Sequence, residues 1–194
     1  MSEFELVTIA LSFVVGFGVA AILGGFASLL TRPQPVRWDW LPLAWALLVL
    51  AEQVMFWFGA LYVERTLTLS LGTFWALILL ASLLFLAGAL ILPSNEHRLE
   101  LALIEDFDRF GIRALIPLAV FQACAAVTNL AAGASPLEPD VYLNLTLAFL
   151  ALAVFAIRHR TAQRGLTLTY GAILLYGLIF VWARPGALDH VIHV

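Results

Sequence analysis

The chain has 194 residues, 63% hydrophobic and 12% charged, with a formal net charge of −3 and a mean hydropathy of +1.00. A charged fraction about half that of an ordinary soluble domain excludes a water-soluble globule. The low charge, the acidic balance and the single cysteine also exclude a disordered chain, a nucleic-acid binder and a disulfide-stapled secreted domain. An all-α polytopic membrane bundle remains, folded as one transmembrane domain over residues 1–194.

Six runs are long and apolar enough to cross a bilayer, which takes about 20 residues. They fall at about residues 6–30, 41–63, 67–92, 113–133, 141–157 and 165–183. Their continuous rather than alternating hydrophobicity excludes a β-barrel. The first is too long for a signal-peptide core and has no basic residue before it, so it is expected to be a true span. It carries Gly16, Ala20, Gly24 and Ser28, a small residue every four, which lets two helices approach closely. Such a stripe packs helices within one chain or marks an oligomer interface.

Trp38, Trp40 and Pro42 open the second span and Tyr62 closes it. Tyr142 opens the fifth and Trp182 closes the sixth, as expected of aromatic side chains at headgroup level. Pro93 is expected to end the third span and Pro117 to kink the fourth. Between those two spans, Leu99, Leu103, Phe107 and Phe110 recur at helical spacing opposite Glu100, Glu105, Asp106, Asp108 and Arg109. Residues 97–110 thus read as a cytoplasmic amphipathic helix running into the fourth span. Its acidic face is either simply solvated or a docking site for another protein.

All ten basic residues are arginine. Arg32, Arg37, Arg98, Arg109, Arg113, Arg158, Arg160 and Arg164 fall on one side of the six-span topology; Arg65 and Arg184 fall on the other. The positive-inside rule then puts the eight in the cytoplasm and both termini in the periplasm. An arginine-only, alanine- and leucine-rich composition points to a bacterial inner membrane. One internal echo recurs at an offset of about half the chain: residues 65–72 match residues 164–171 at five of eight positions. It fits either a 3+3 inverted repeat or a coincidence in a leucine-rich chain.

Val14-Val15-Gly16-Phe17-Gly18 with Leu23-Gly24-Gly25, the stretch Trp40 to Trp45, Glu52-Gln53 to Trp57, and a third span ending at Pro93 together resemble one group of proteins. That is a loose group of uncharacterised bacterial six-helix inner-membrane proteins of about this length. The similarity covers roughly the first 110 residues and implies the fold; no activity carries over with it.

Glu52 is the strongest candidate for function, an acid at the centre of its span. Inserting it costs at least ~2.5 kcal/mol, so it must face the bundle interior or a hydrated cavity, where desolvation favours the neutral form. That arrangement suits a transport site, and equally a structural acid hydrogen-bonded between helices. Gln122 and Asn129 lie seven residues apart on one face of the fourth span; Tyr176 lies in the sixth, and Gln53 points about 100° away from Glu52. Together they form a candidate polar core, with a hydrogen bond from Gln122 or Tyr176 to Glu52.

No catalytic or nucleotide-binding motif is present, so no enzyme and no cofactor is expected. Cys124 reads as a packing residue, and His97, His159, His190 and His193 lie outside the spans. The tail group Asp189, His190 and His193 is too weak a pattern for a metal site. The expected activity is a channel or carrier for a small solute or ion around Glu52. The alternative is a non-catalytic membrane subunit, assembling with itself or with a membrane partner through the first span and the acidic segment. A continuous hydrated route past Glu52, open to one or both faces, favours the first reading and a dry, fully packed core the second.

Overall fold

The computed structural model describes residues 3–33, 35–66, 70–93, 101–131 and 133–182. Helix α1 covers Glu3–Thr31, α2 Trp40–Thr66 and α3 Leu71–Ile91. A short helix α4, Leu103–Arg109, and a 3₁₀ turn, Gly111–Ala114, lead into α5, Leu115–Ala131. Helices α6, Pro139–Ala156, and α7, Arg160–Tyr176, follow, and π-helical turns continue α7 over Gly177–Trp182. Among the described residues five helices are long and apolar enough to cross a membrane: Val7–Thr31, Trp40–Gly59, Leu71–Ile91, Gly111–Ala131 and Pro139–Ala156. The expected sixth is not among them. α7 opens with Arg160, Gln163 and Arg164, which shortens its apolar part.

Local chemistry sets the helix ends. Asp39 Oδ1 accepts from the Leu41 amide at 2.9 Å and so caps α2. Ser70 caps α3 through the Thr73 amide at 3.1 Å. Pro93 follows the C-terminus of α3, as expected. Pro117 does not kink a long helix. It lies in the first turn of α5, just after the 3₁₀ turn, where its missing N–H removes no intrahelical bond.

The helices close a ring. α2 packs on α3, α3 on α5, α5 on α6, α6 on α7, and α7 returns to α2; α1 lies outside this ring against α2 and α3. Side chains at helical spacing face the centre: Leu41, Trp45, Val49 and Glu52 from α2, and Gln163, Thr167, Tyr170 and Leu174 from α7. The main core extends through Leu84, Leu115, Leu118, Ala151 and Val154, all inaccessible. A smaller core of Val7, Leu11, Val15, Leu77 and Ala81 holds the other end of α1 to α3. Large apolar side chains such as Phe13, Phe17, Leu47, Trp75, Phe149 and Leu168 cover the outside. Trp38, Trp40 and Tyr142 are exposed at helix ends, as expected of interfacial aromatics.

The chain segments carrying Arg32 and Arg37, Arg109 and Arg113, and Arg158, Arg160 and Arg164 all gather at one end of the bundle. Strand β1 (Val36–Arg37) pairs in parallel with β2 (Leu101–Ala102). Three ion pairs close a triangle there: Arg37 with Glu105 at 3.8 Å, Arg160 with Asp108, and Arg164 with Asp39 at 3.1 Å. The amphipathic segment is therefore seven helical residues rather than a long extension of α5. It folds down on its own bundle with Leu103 and Phe107 buried; residues 97–100 lie outside the described residues. The two echoed sequences do not occupy equivalent places. Arg65 and Thr66 end α2, Ser70 caps α3, and residues 67–69 lie outside the described residues, whereas residues 164–171 fall inside α7.

The small-residue stripe of α1 does not pack against its own bundle. Gly16, Ala20 and Gly24 are exposed and Ser28 is half-buried, and a Cβ at Gly16 or Gly24 would meet nothing within 4 Å. The glycines of α1 that permit close approach are Gly18 and Gly25. A Cβ on Gly25 would stand 2.9 Å from Leu92 Cβ, and one on Gly18 would stand 2.6 Å from Gln53 Nε2.

Candidate polar site around Glu52

Glu52 faces the centre of the ring and is only 4% exposed. Gln122 Nε2, from α5, donates to its Oε1 at 2.6 Å. The Tyr170 hydroxyl, from α7, donates to the same oxygen at 2.9 Å. Gln122 Nε2 also donates to the Tyr170 oxygen at 3.2 Å, so three helices meet in a closed triangle of hydrogen bonds. Both bonds to the carboxyl fall on Oε1. Among the described residues Oε2 takes none, and it belongs to a side chain that lines a cavity.

The cavity is about 150 Å³ and lies inside the five-helix ring. Beyond Glu52 and Gln122 its polar lining is Thr128, Asn129, Asp140 and Asn144, and its walls are apolar, including Phe56, Leu80, Phe121, Leu147 and Leu174. From Glu52 the lining runs toward the C-terminal ends of α2, α5 and α7 and the N-terminal ends of α3 and α6. That is the end opposite the arginine loops. Asp140 stands there in the first turn of α6, with Oδ1 buried and without a hydrogen-bond partner among the described residues. Among the described residues none of the lining is basic.

Toward the arginine end the interior is packed. The Trp45 ring meets Tyr170 edge-on, centroids 4.9 Å apart, and Leu41, Leu115, Leu118 and Val154 fill the space beyond. Gln163, also buried there, donates to the carbonyls of Val154 and Ile157, satisfying the C-terminal end of α6. The site is thus a pocket in the half of the bundle away from the arginine loops, with Glu52 at its floor and a plug of Trp45 and Tyr170 beneath.

Of the expected polar residues, Glu52, Gln122 and Asn129 share this cavity. Gln53 is fully buried but faces α1 and α3, donating to the Leu84 carbonyl at 3.1 Å. Its amide sits between Gly18 and Gly88, at each of which a Cβ would come within 2.8 Å of Nε2. Tyr176 is not at the site: it is 54% exposed and stacks near Phe180 on the outside. The phenol beside Glu52 is Tyr170. The helix begins at Arg160 rather than 165, so Tyr170 rather than Tyr176 reaches the depth of Glu52, and six residues of helix turn Tyr176 to another face. The spacing of Gln163, Thr167, Tyr170 and Leu174 is the signal that locates it. Among the described residues no cluster of three metal-ligating side chains occurs. Comparison with protein-family models, curated proteins and solved structures finds no match for the chain.

Proposed function

We propose that this membrane protein is a channel or carrier for a small solute of the bacterial inner membrane, with Glu52 as its central binding point. The observation that carries this reading is the cavity ending on a buried carboxyl whose second oxygen has no hydrogen-bond partner among the described residues. A purely structural acid in a bundle is enclosed by its hydrogen bonds; this one faces a space the size of a small molecule. In this reading α7 and its π-helical continuation form the sixth crossing, roughly 30 Å long at helical rise. The arginine end faces the cytoplasm, by the positive-inside rule, and both termini face the periplasm. The cavity is then the periplasmic vestibule, and the Trp45–Tyr170 contact is the closed gate.

Proteoliposomes test this by stopped-flow light scattering, with urea, acetamide, glycerol and methylammonium chloride as probes. At least one probe should cross faster than through protein-free vesicles, and Glu52→Gln should alter that rate while leaving the fold intact. Rates equal to protein-free vesicles for every probe would overturn the reading. A second reading, self-assembly through α1, is favoured by the outward position of Gly16, Ala20 and Gly24. Gly24→Leu should then reduce the oligomer mass measured by light scattering, and an unchanged mass would remove it.

A further inference from the structure

We infer that the cavity above Glu52 selects a small organic cation, a primary alkylammonium of about five carbons, and rejects anions and neutral alcohols of the same size. The inference rests on the transport reading for the site's purpose, and on hydrogen-bond chemistry for the ligand's class.

The donors at the floor are already engaged. Gln122 directs Nε2, which carries two hydrogens, at Glu52 Oε1 and the Tyr170 oxygen, and Tyr170 directs its single hydrogen at Glu52 Oε1. The carboxyl is left offering the lone pairs of Oε2. Higher up, the Thr128 hydroxyl donates to the Cys124 carbonyl at 2.9 Å, and Asp140 Oδ1 is a buried acceptor without a partner among the described residues. A site whose floor presents acceptors is completed by a donor, and an ammonium supplies three N–H groups with a positive charge.

Charge points the same way. Among the described residues Glu52 and Asp140 are the ionisable groups of the lining, so an anion meets repulsion at the floor, and the donors it could use, the Asn129 and Asn144 carboxamides, stand farther up toward Asp140. Burial alone favours the neutral carboxyl; the two donors on Oε1 oppose that, and a bound ammonium completes the stabilisation of the ionised form. The remaining wall is apolar, and a cavity of this volume accommodates a body of about six heavy atoms. An amine head on Glu52 with a short hydrocarbon tail among Phe56, Phe121 and Leu147 fits both features.

The test is calorimetric titration of the purified protein in detergent with n-pentylammonium, pentan-1-ol and pentanoate. Pentylammonium should bind at least about tenfold tighter than pentan-1-ol, because its bond to the carboxylate is charge-assisted; pentanoate should show no binding. Glu52→Gln should bring pentylammonium to within about threefold of the alcohol. Ala125→Leu, which fills the cavity, should remove binding of both. Equal binding of pentylammonium and pentan-1-ol to the native chain, or binding of pentanoate, would overturn the proposal without any variant. Flux that depends on Glu52 without pentylammonium binding would refute the ligand class and leave the transport reading standing. Selective binding without flux of any probe would do the reverse.

Discussion

Gly18→Ala places the new Cβ 2.6 Å from Gln53 Nε2, 3.0 Å from its Cδ and 3.1 Å from its Oε1. Ordinary contact needs about 3.5 Å, so the amide must retreat by nearly ~1 Å. A side-chain end often yields cheaply, but this one is fully buried, anchored on the Leu84 carbonyl, and also crowded by Gly88. Overpacking of such a site costs about 1–3 kcal/mol. The gain in helix propensity from Gly to Ala returns roughly 0.5–1 kcal/mol, leaving a net loss of about 1 kcal/mol. In a Gln53→Ala background the clash disappears and only the propensity gain remains, so the pair should couple by about 2 kcal/mol. Gly16→Ala, two residues away with nothing within 4 Å of the new Cβ, should be tolerated. Equilibrium unfolding of the single and double variants in mixed micelles measures the cycle. An equal loss for Gly18→Ala in both backgrounds, or for Gly16→Ala and Gly18→Ala alike, would refute the packing argument.

Three further outcomes follow from the same contacts. Tyr170→Phe removes one donor from Glu52 Oε1 and should lower stability by about 0.6–1.7 kcal/mol in the same unfolding assay, whereas Tyr176→Phe should change nothing. Glu52→Gln keeps shape and an acceptor oxygen and should stay close to wild type, whereas Glu52→Ala strands Gln122 and Tyr170 and should cost about 1–3 kcal/mol. Asp39→Ala removes both the cap of α2 and the partner of Arg164, and should cost about 0.5–2 kcal/mol with little relief from added salt. Asp108→Asn breaks only an exposed pair, and its effect should stay below about 1 kcal/mol and fade as salt is raised.

The spans were legible because apolar run length is a one-dimensional property: α1, α2, α3, α5 and α6 lie close to the expected limits. The Glu52–Gln122 bond was within reach too. Depth from the Arg113 edge puts Gln122 at the level of Glu52, and both side chains needed a partner. Tyr170 was harder. An arginine at position 164 reads as the start of a span, yet it sits one turn inside α7 and reaches back to Asp39 and over the Trp40 ring. The small-residue stripe failed for a different reason. Every fourth residue marks a face, but which face meets α3 depends on neighbours far along the chain, and Gly18 and Gly25 are the positions touched. The acidic segment likewise gave no hint that its charges would be met by Arg37 and Arg160 of its own chain.

One-sided access to Glu52 is tested most directly by thiol labelling in sealed vesicles. Asn144→Cys and Ala125→Cys, which line the cavity, are placed in a Cys124→Ala background, and His159→Cys, exposed at the arginine end, reports the orientation of each vesicle. A small impermeant methanethiosulfonate reagent should modify both cavity cysteines when it is added on the side opposite His159→Cys, and neither when added on the same side. Modification from the His159 side, or of neither cysteine from either side, would contradict a pocket that reaches Glu52 from one face above a closed Trp45–Tyr170 plug.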